Sequence, residues 1–119
     1  MRALLVAFLC LTATGADAAE RRCGWYINPT PGNLILQDRD GAWWITSQGG
    51  PGAVGVEENA PEFDEKQYVA TQPNGYGYGC ACMTVATDAA AMQITQVFAG
   101  DILPLSKCQA DPSLPKPEM

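Results

Sequence analysis

The 119-residue chain contains no histidine. That absence excludes Ser-His-Asp and Cys-His nucleophilic machinery, and every metal centre built on imidazole. Cations are scarce too: seven Lys and Arg stand against thirteen Asp and Glu, a formal net charge of −6. With no basic cluster, the chain lacks the patch that neutralises phosphates in nucleic-acid binding. The same lack argues against docking on anionic lipid headgroups. Long hydrophobic runs are also missing. The uncharged apolar run over residues 3–14 falls short of the roughly 20 residues a membrane-spanning helix needs, and no later stretch comes closer.

That run reads instead as the centre of a secretion signal. Arg2 supplies a positive start, and Ala16-Asp17-Ala18 supplies a small-x-small cleavage site. The expectation is a signal peptide over residues 1–18, cut between Ala18 and Ala19, leaving a periplasmic or secreted protein with no membrane span. A lipoprotein anchor at Cys10 is the competing reading. It is disfavoured because Leu9 is bulky where such a site wants a small residue, and because the apolar run continues past Cys10. Loss of Arg2 and Asp17 removes one charge of each sign, so the mature chain keeps the net −6.

Beyond residue 18 stand Cys23, Cys80, Cys82 and Cys108. In an exported chain of this size they read as two disulfides. A Cys80–Cys82 bond would close a very small ring within a strand and strain disulfide geometry. Cys80 and Cys82 are therefore expected to reach Cys23 and Cys108, in one order or the other. Loops of such lengths each stabilise by about 4 kcal/mol in the chain-entropy picture, a large share of a net stability of roughly 5–15 kcal/mol. A four-thiolate zinc site prefers C-x2-C pairs, and a redox-active C-x-C lacks a thioredoxin-like βαβ context here. No cofactor or metal is expected.

The coarse pattern is all-β. The runs 34–37 and 42–46 are short, apolar and rich in β-formers, and Asp38-Arg39-Asp40-Gly41 joins them as a hairpin. Gln48-Gly49-Gly50-Pro51-Gly52 is a loop. Residues 59–66, with Asn59 as cap and Pro61 early, read as one short helical turn, and 67–71 as a brief strand. Residues 78–87 alternate as a central strand, with Cys80 and Cys82 on one face and Ala81, Met83 and Val85 on the other. A turn at 88–91 leads into a strand over 92–99, with an alanine-driven helix as the weaker alternative. Gly100-Asp101 reads as a further turn before a last edge strand, 102–108. The domain thus spans 19–110, an antiparallel meander curled into a sandwich or half-open barrel, with at most one helical turn. The Pro-rich tail 111–119 is expected to be extended, mobile and with little to bury.

Carboxylates are the only plausible acid/base groups: Asp38/Asp40, Glu57/Glu58 and Glu62/Asp64/Glu65. All lie in turns or polar loops, where solvated acids are the ordinary case, so no catalytic residue and no enzyme is expected. Asp38-x-Asp40-Gly41 resembles part of a calcium loop but lacks the later ligands; a hairpin turn explains it better. Aromatic rings are the more suggestive groups. Trp43 and Trp44 are adjacent on one strand and must face opposite ways, so at least one is expected to be exposed. Tyr76 and Tyr78 sit among glycines, and Trp25 follows the first cysteine. These five are the candidate binding residues, able to stack on sugars or anchor a protein interface; the alternative is that they cover a thin sheet.

Cys23-Gly24-Trp25, Asn28-Pro29-Thr30-Pro31-Gly32-Asn33, Asp38-Arg39-Asp40-Gly41, Gln48-Gly49-Gly50, Tyr76-Gly77-Tyr78-Gly79-Cys80-Ala81-Cys82, and Leu103-Pro104-Leu105 with Cys108 resemble a family of small exported bacterial proteins, the domain of unknown function 4087 type. The resemblance covers nearly the whole mature chain. It implies a bacterial envelope location, the periplasm, and brings no activity or catalytic residue with it. The function expected from all this is a non-enzymatic module that binds a periplasmic protein or glycan, for instance an inhibitor of a basic cell-wall hydrolase. A structural component of the envelope is the alternative, and a carboxylate-based hydrolase a more distant one.

Overall fold

Strand pairing begins where apolar and β-branched residues alternate on either side of a two-residue turn. Leu34–Asp38 (β2) and Gly41–Thr46 (β3) form a hairpin around Arg39 and Asp40, with the Asp38 carboxylate accepting from the Asp40 N–H at 2.8 Å to close the turn. Gly77–Asp88 (β5) and Gln93–Leu103 (β6) form a longer one. The computed structural model describes residues 19–117 and 119; the expected signal segment 1–18, with its lipoprotein alternative, lies outside the described residues.

Glu20–Asn28 (β1) and Tyr68–Ala70 (β4) complete one mixed sheet of six strands closed into a ring. The ring runs β1-β2-β3-β6-β5 and back to β1. One edge of β5 pairs antiparallel with β1 from Gly77 to Val85; the other pairs with β4 over Gly77–Gly79 and then with β6 from Cys80 onward. The seam is between β3 and β6, which run parallel and meet only at Trp44↔Gln93. Beyond that point the strands part, and two residues fill the gap. Ala53 N–H donates to Ile45 O on β3 at 2.9 Å, while Val54 N–H donates to Thr95 O and Val54 O accepts from Val97 N–H on β6. β6 carries two more residues than its partner over the paired stretch, and the extra positions are Thr95 and Phe98. Such bulges re-aim side chains and increase twist.

Two-residue alternation gives β1 and β5 two buried faces. Inside the ring lie Tyr26, Leu36, Trp43, Met83, Val85 and Val97. On the outer face Trp25, Ile27, Cys80 and Cys108 form a second cluster. Both disulfides belong to that outer face: Cys23–Cys82 joins directly facing residues of β1 and β5 with Cα atoms 4.0 Å apart, and Cys80–Cys108 ties β5 to the chain's last helix. The ring is tight. A Cβ on Gly24 would lie 2.1 Å from Gln37 O, so only glycine lets β1 and β2 approach this closely.

Four expectations require correction. The single helical turn over 59–66 is replaced by helix α1 at Val56–Asn59, a 3-10 turn at Glu65–Gln67, and helix α2 at Leu105–Gln109. Asn59 ends α1 rather than starting a helix, and its side-chain amide donates to Val97 O. Gly100-Asp101 is not a turn. β6 runs straight through it, and Gly100 is there because a Cβ would come within 2.6 Å of Pro61. The last edge strand is absent because Pro104 starts α2, which carries Cys108 back to Cys80. The tail, finally, has something to bury: Leu114 packs on the outer cluster. The all-β class itself is as expected: the strands curl into one sheet closed as a ring, whose single parallel contact is where β6 returns beside β3.

Candidate functional site

The charged residues of the β2–β3 turn are committed to the fold. Arg22 on β1 points inward, its guanidinium 4.0 Å over the Trp43 ring. Its Nη1 donates to Asp38 at 2.8 Å and Asp40 at 3.0 Å, and its Nη2 donates to Glu20 at 3.0 Å. Asp38 is buried and also accepts from the Trp43 indole at 3.0 Å. Burial opposes the charge on Arg22, but the hydrogen bonds it donates to Asp38, Asp40 and Glu20 outweigh this and hold its pKa above the usual arginine range. Arg22 Nε is buried without an acceptor among the described residues, because the cation–π stack fixes the plane of the group. Two of the acids weighed as acid/base groups, Asp38 and Asp40, thus neutralise a cation. No cluster of three metal-ligating side chains occurs among the described residues.

The five candidate aromatics do not share one surface. Trp43 is 2% exposed and lines the ring interior, while its neighbour Trp44 is 39% exposed and faces out. Trp25 is buried in the outer cluster, with Tyr78 edge-on to it. Packing takes the Trp25 and Trp43 rings out of solvent. Tyr76 is half-buried at the turn between β4 and β5, its carbonyl accepting from Thr71. Of the five, Trp44 alone is exposed.

A groove appears where the chain leaves β3. It has a volume of about 720 Å³ and is bounded by Pro31-Gly32 on one side, by the loop 46–50 below, and by Gly52 to Glu58 on the other side. Its lining is rich in glycine. Gly55 holds a left-handed φ of 78° at the start of α1, and a Cβ there would sit 2.6 Å from Val97 O. This glycine lets the loop turn from the β6 seam into α1 and present Glu57 and Glu58 on the groove wall. A second groove, about 240 Å³, shares Thr46, Ser47, Gly52 and Ala53 with the first and is walled by Trp44. Gly52 and Ala53, at the entry to the seam-filling pair Ala53–Val54, therefore line both grooves, one walled by carboxylates and the other by an exposed indole. The sequence marks this glycine loop and the acid pair separately. Nothing in it brings Pro31-Gly32 to them; the hairpin does that, through Thr46 Oγ1 donating to Gly32 O and Gln48 N–H donating to Asn33.

The class these features define is a small all-β domain, a closed ring of strands stapled by two disulfides on one outer face, with an open groove at its seam. The chain belongs to the family described as Protein of unknown function (DUF4087), whose family model matches residues 17–115. No curated protein and no solved structure matches it. No helix among the described residues is long and apolar enough to cross a membrane.

Proposed function

We propose that the protein is a non-enzymatic binding module of the bacterial periplasm whose seam groove receives a basic segment of a partner protein, such as the basic surface of a cell-wall hydrolase. The observation that carries this reading is the groove of about 720 Å³ with Glu57 and Glu58 on its wall, adjoining the one walled by Trp44. Backbone carbonyls and carboxylates accept hydrogen bonds from Lys and Arg, and an exposed indole offers them a cation–π face. A net charge of −6 steers a basic partner toward the domain. The two disulfides suit an oxidising compartment outside the cytoplasm.

A turnover and binding assay against lysozyme, a basic cell-wall hydrolase, tests it. Expected is binding at micromolar concentration in low salt, weakened at least ten-fold by Glu57→Gln with Glu58→Gln or by high salt. Absence of both binding and inhibition at that concentration would remove this reading. One observation favours a role in envelope assembly instead: Trp44, Val54 and Phe98 are large exposed apolar residues near the seam strands. That reading requires a stable complex insensitive to salt.

A further inference from the structure

The C-terminal tail is held by contacts of one kind. Trp25 on β1 donates its indole N–H to the carbonyl of Pro115 at 3.0 Å, and Gln37 on β2 donates its side-chain amide to the carbonyl of Lys116 at 3.2 Å. Leu114 packs on the cluster of Trp25, Ile27, Cys80 and Cys108. Trp25 and Tyr78, with ring centroids 5.2 Å apart, line a groove of about 250 Å³ together with Cys108 and residues 114–117. The tail forms one wall of this groove, leading in from a turn in which Asp111 accepts from the N–H and hydroxyl of Ser113. Those bonds hold the Asp111 carboxyl below the ordinary carboxylate range.

These contacts read backbone shape. Proline fixes φ near −65° and has no N–H to donate, and the residue before a proline is driven to extended backbone. Leu114-Pro115-Lys116-Pro117 therefore presents carbonyls with no ladder or helix to use them. The ring meets those carbonyls with two side-chain donors, and the Leu114 side chain with the apolar cluster around Trp25. That is the physics by which aromatic-lined grooves take up proline-rich segments generally, exploiting a ligand that loses little entropy on binding. Trp25 is at the centre because a buried indole N–H requires an acceptor.

We propose that the face carrying Trp25, Tyr78 and Gln37 is a binding site for an extended Leu-Pro-x-Pro segment of another protein, which the chain's own tail covers in cis. The groove shares no lining residue with the acidic seam groove, so the two sites are independent. The tethered tail competes at an effective concentration on the order of millimolar, and an incoming segment binds only in the fraction of molecules whose tail is released. Release of the tail thus acts as the gate.

The test uses the full oxidised chain and a synthetic peptide with the sequence of residues 111–119 as ligand. The readouts are the Trp25 indole N–H resonance and a binding isotherm. Saturating peptide is expected to move the Trp25 resonance in the natural chain, and a scrambled peptide to leave it in place. A chain carrying Leu114→Ser and Pro115→Gly, which loosens the tail and leaves the groove intact, is expected to bind the peptide at least ten-fold more tightly. Adding Trp25→Phe to that chain, which keeps a ring and removes the donor, is expected to reverse most of the gain. Equal affinity of the natural and loosened chains, no response of the Trp25 resonance at millimolar peptide, or dimerisation through exchanged tails would each overturn the proposal. The natural chain is part of the test, so a loosened chain that failed to fold would still leave the proposal open to refutation.

Discussion

Arg22 ties three carboxylates and a tryptophan face into one unit, and its removal would leave Asp38 buried with no cation beside it. Breaking a buried ion pair from one side costs about 3–5 kcal/mol. Arg22→Ala is expected near the lower end, about 3 kcal/mol, because Glu20 and Asp40 stay partly solvated; the urea midpoint measures it. A loss under about 0.5 kcal/mol, the usual size of a surface change, would show that the cluster is surface decoration. Tyr26 sets the alkaline limit. Buried inside the ring and stacked on Phe63 at 4.3 Å, its phenol is pushed up to about 12 by loss of solvent. The folded state therefore favours the neutral phenol. That contribution is fully present below the ordinary tyrosine pKa of about 10 and is lost as the pH rises from there through about 12. Absorbance titration is expected to show a tyrosine that ionises about two units late and that shifts back on unfolding. Neither role was legible in the sequence. Nothing in the sequence links Arg22 to Asp38 and Asp40, which read as solvated acids of a hairpin turn, because the strand that brings them together is not itself visible there.

At the scale of elements, that strand is the main loss. β1 begins Glu-Arg-Arg and carries a glycine at position 24, features depleted in strands, so its period-two pattern is hidden by charges whose partners lie elsewhere in the chain. The β2–β3 and β5–β6 hairpins were legible because turn chemistry and alternation agree there. The Gly100-Asp101 turn was misread for a specific reason: glycine serves both turns and close packing, and here Pro61 and Met83 demand the second. The cysteine reading held, two bonds joining Cys80 and Cys82 to the distant pair, and the register supplies the order that spacing alone left open. The two bonds differ in access. Cys23 is exposed, whereas Cys80, Cys82 and Cys108 are buried. Thiol exchange needs a path to sulfur, so limited native dithiothreitol followed by alkylation and peptide mapping is expected to label Cys23 and Cys82 at least ten-fold faster than Cys80 and Cys108. Labelling of all four together would contradict it. β1 stays paired to β5 along its length when the first bond opens, so the fold is expected to survive that step. Opening the second would free α2 from β5.

At the scale of the whole molecule, the seam grooves follow from how the ring closes. A parallel seam that meets at one residue pair leaves a gap, which Ala53 and Val54 fill, and Gly52 and Ala53 line the two grooves beside it. The sequence held the parts, a glycine loop, a pair of acids and one of two tryptophans. It could not place them, because their proximity depends on β6 returning parallel to β3. The aromatic surface inferred from composition shrinks to Trp44, while Trp25 and Tyr78 belong to a second groove walled by the tail. The central claim is that the seam groove, rather than a scattered aromatic surface, is where a basic partner binds. Amide resonances of the isotopically labelled protein, followed while lysozyme is added in low salt, test this most directly. Shifts and broadening are expected to concentrate at Gly32, residues 46–58 and the Trp44 indole, and to be lost at high salt. Perturbations centred anywhere else, or none at millimolar partner, would contradict it.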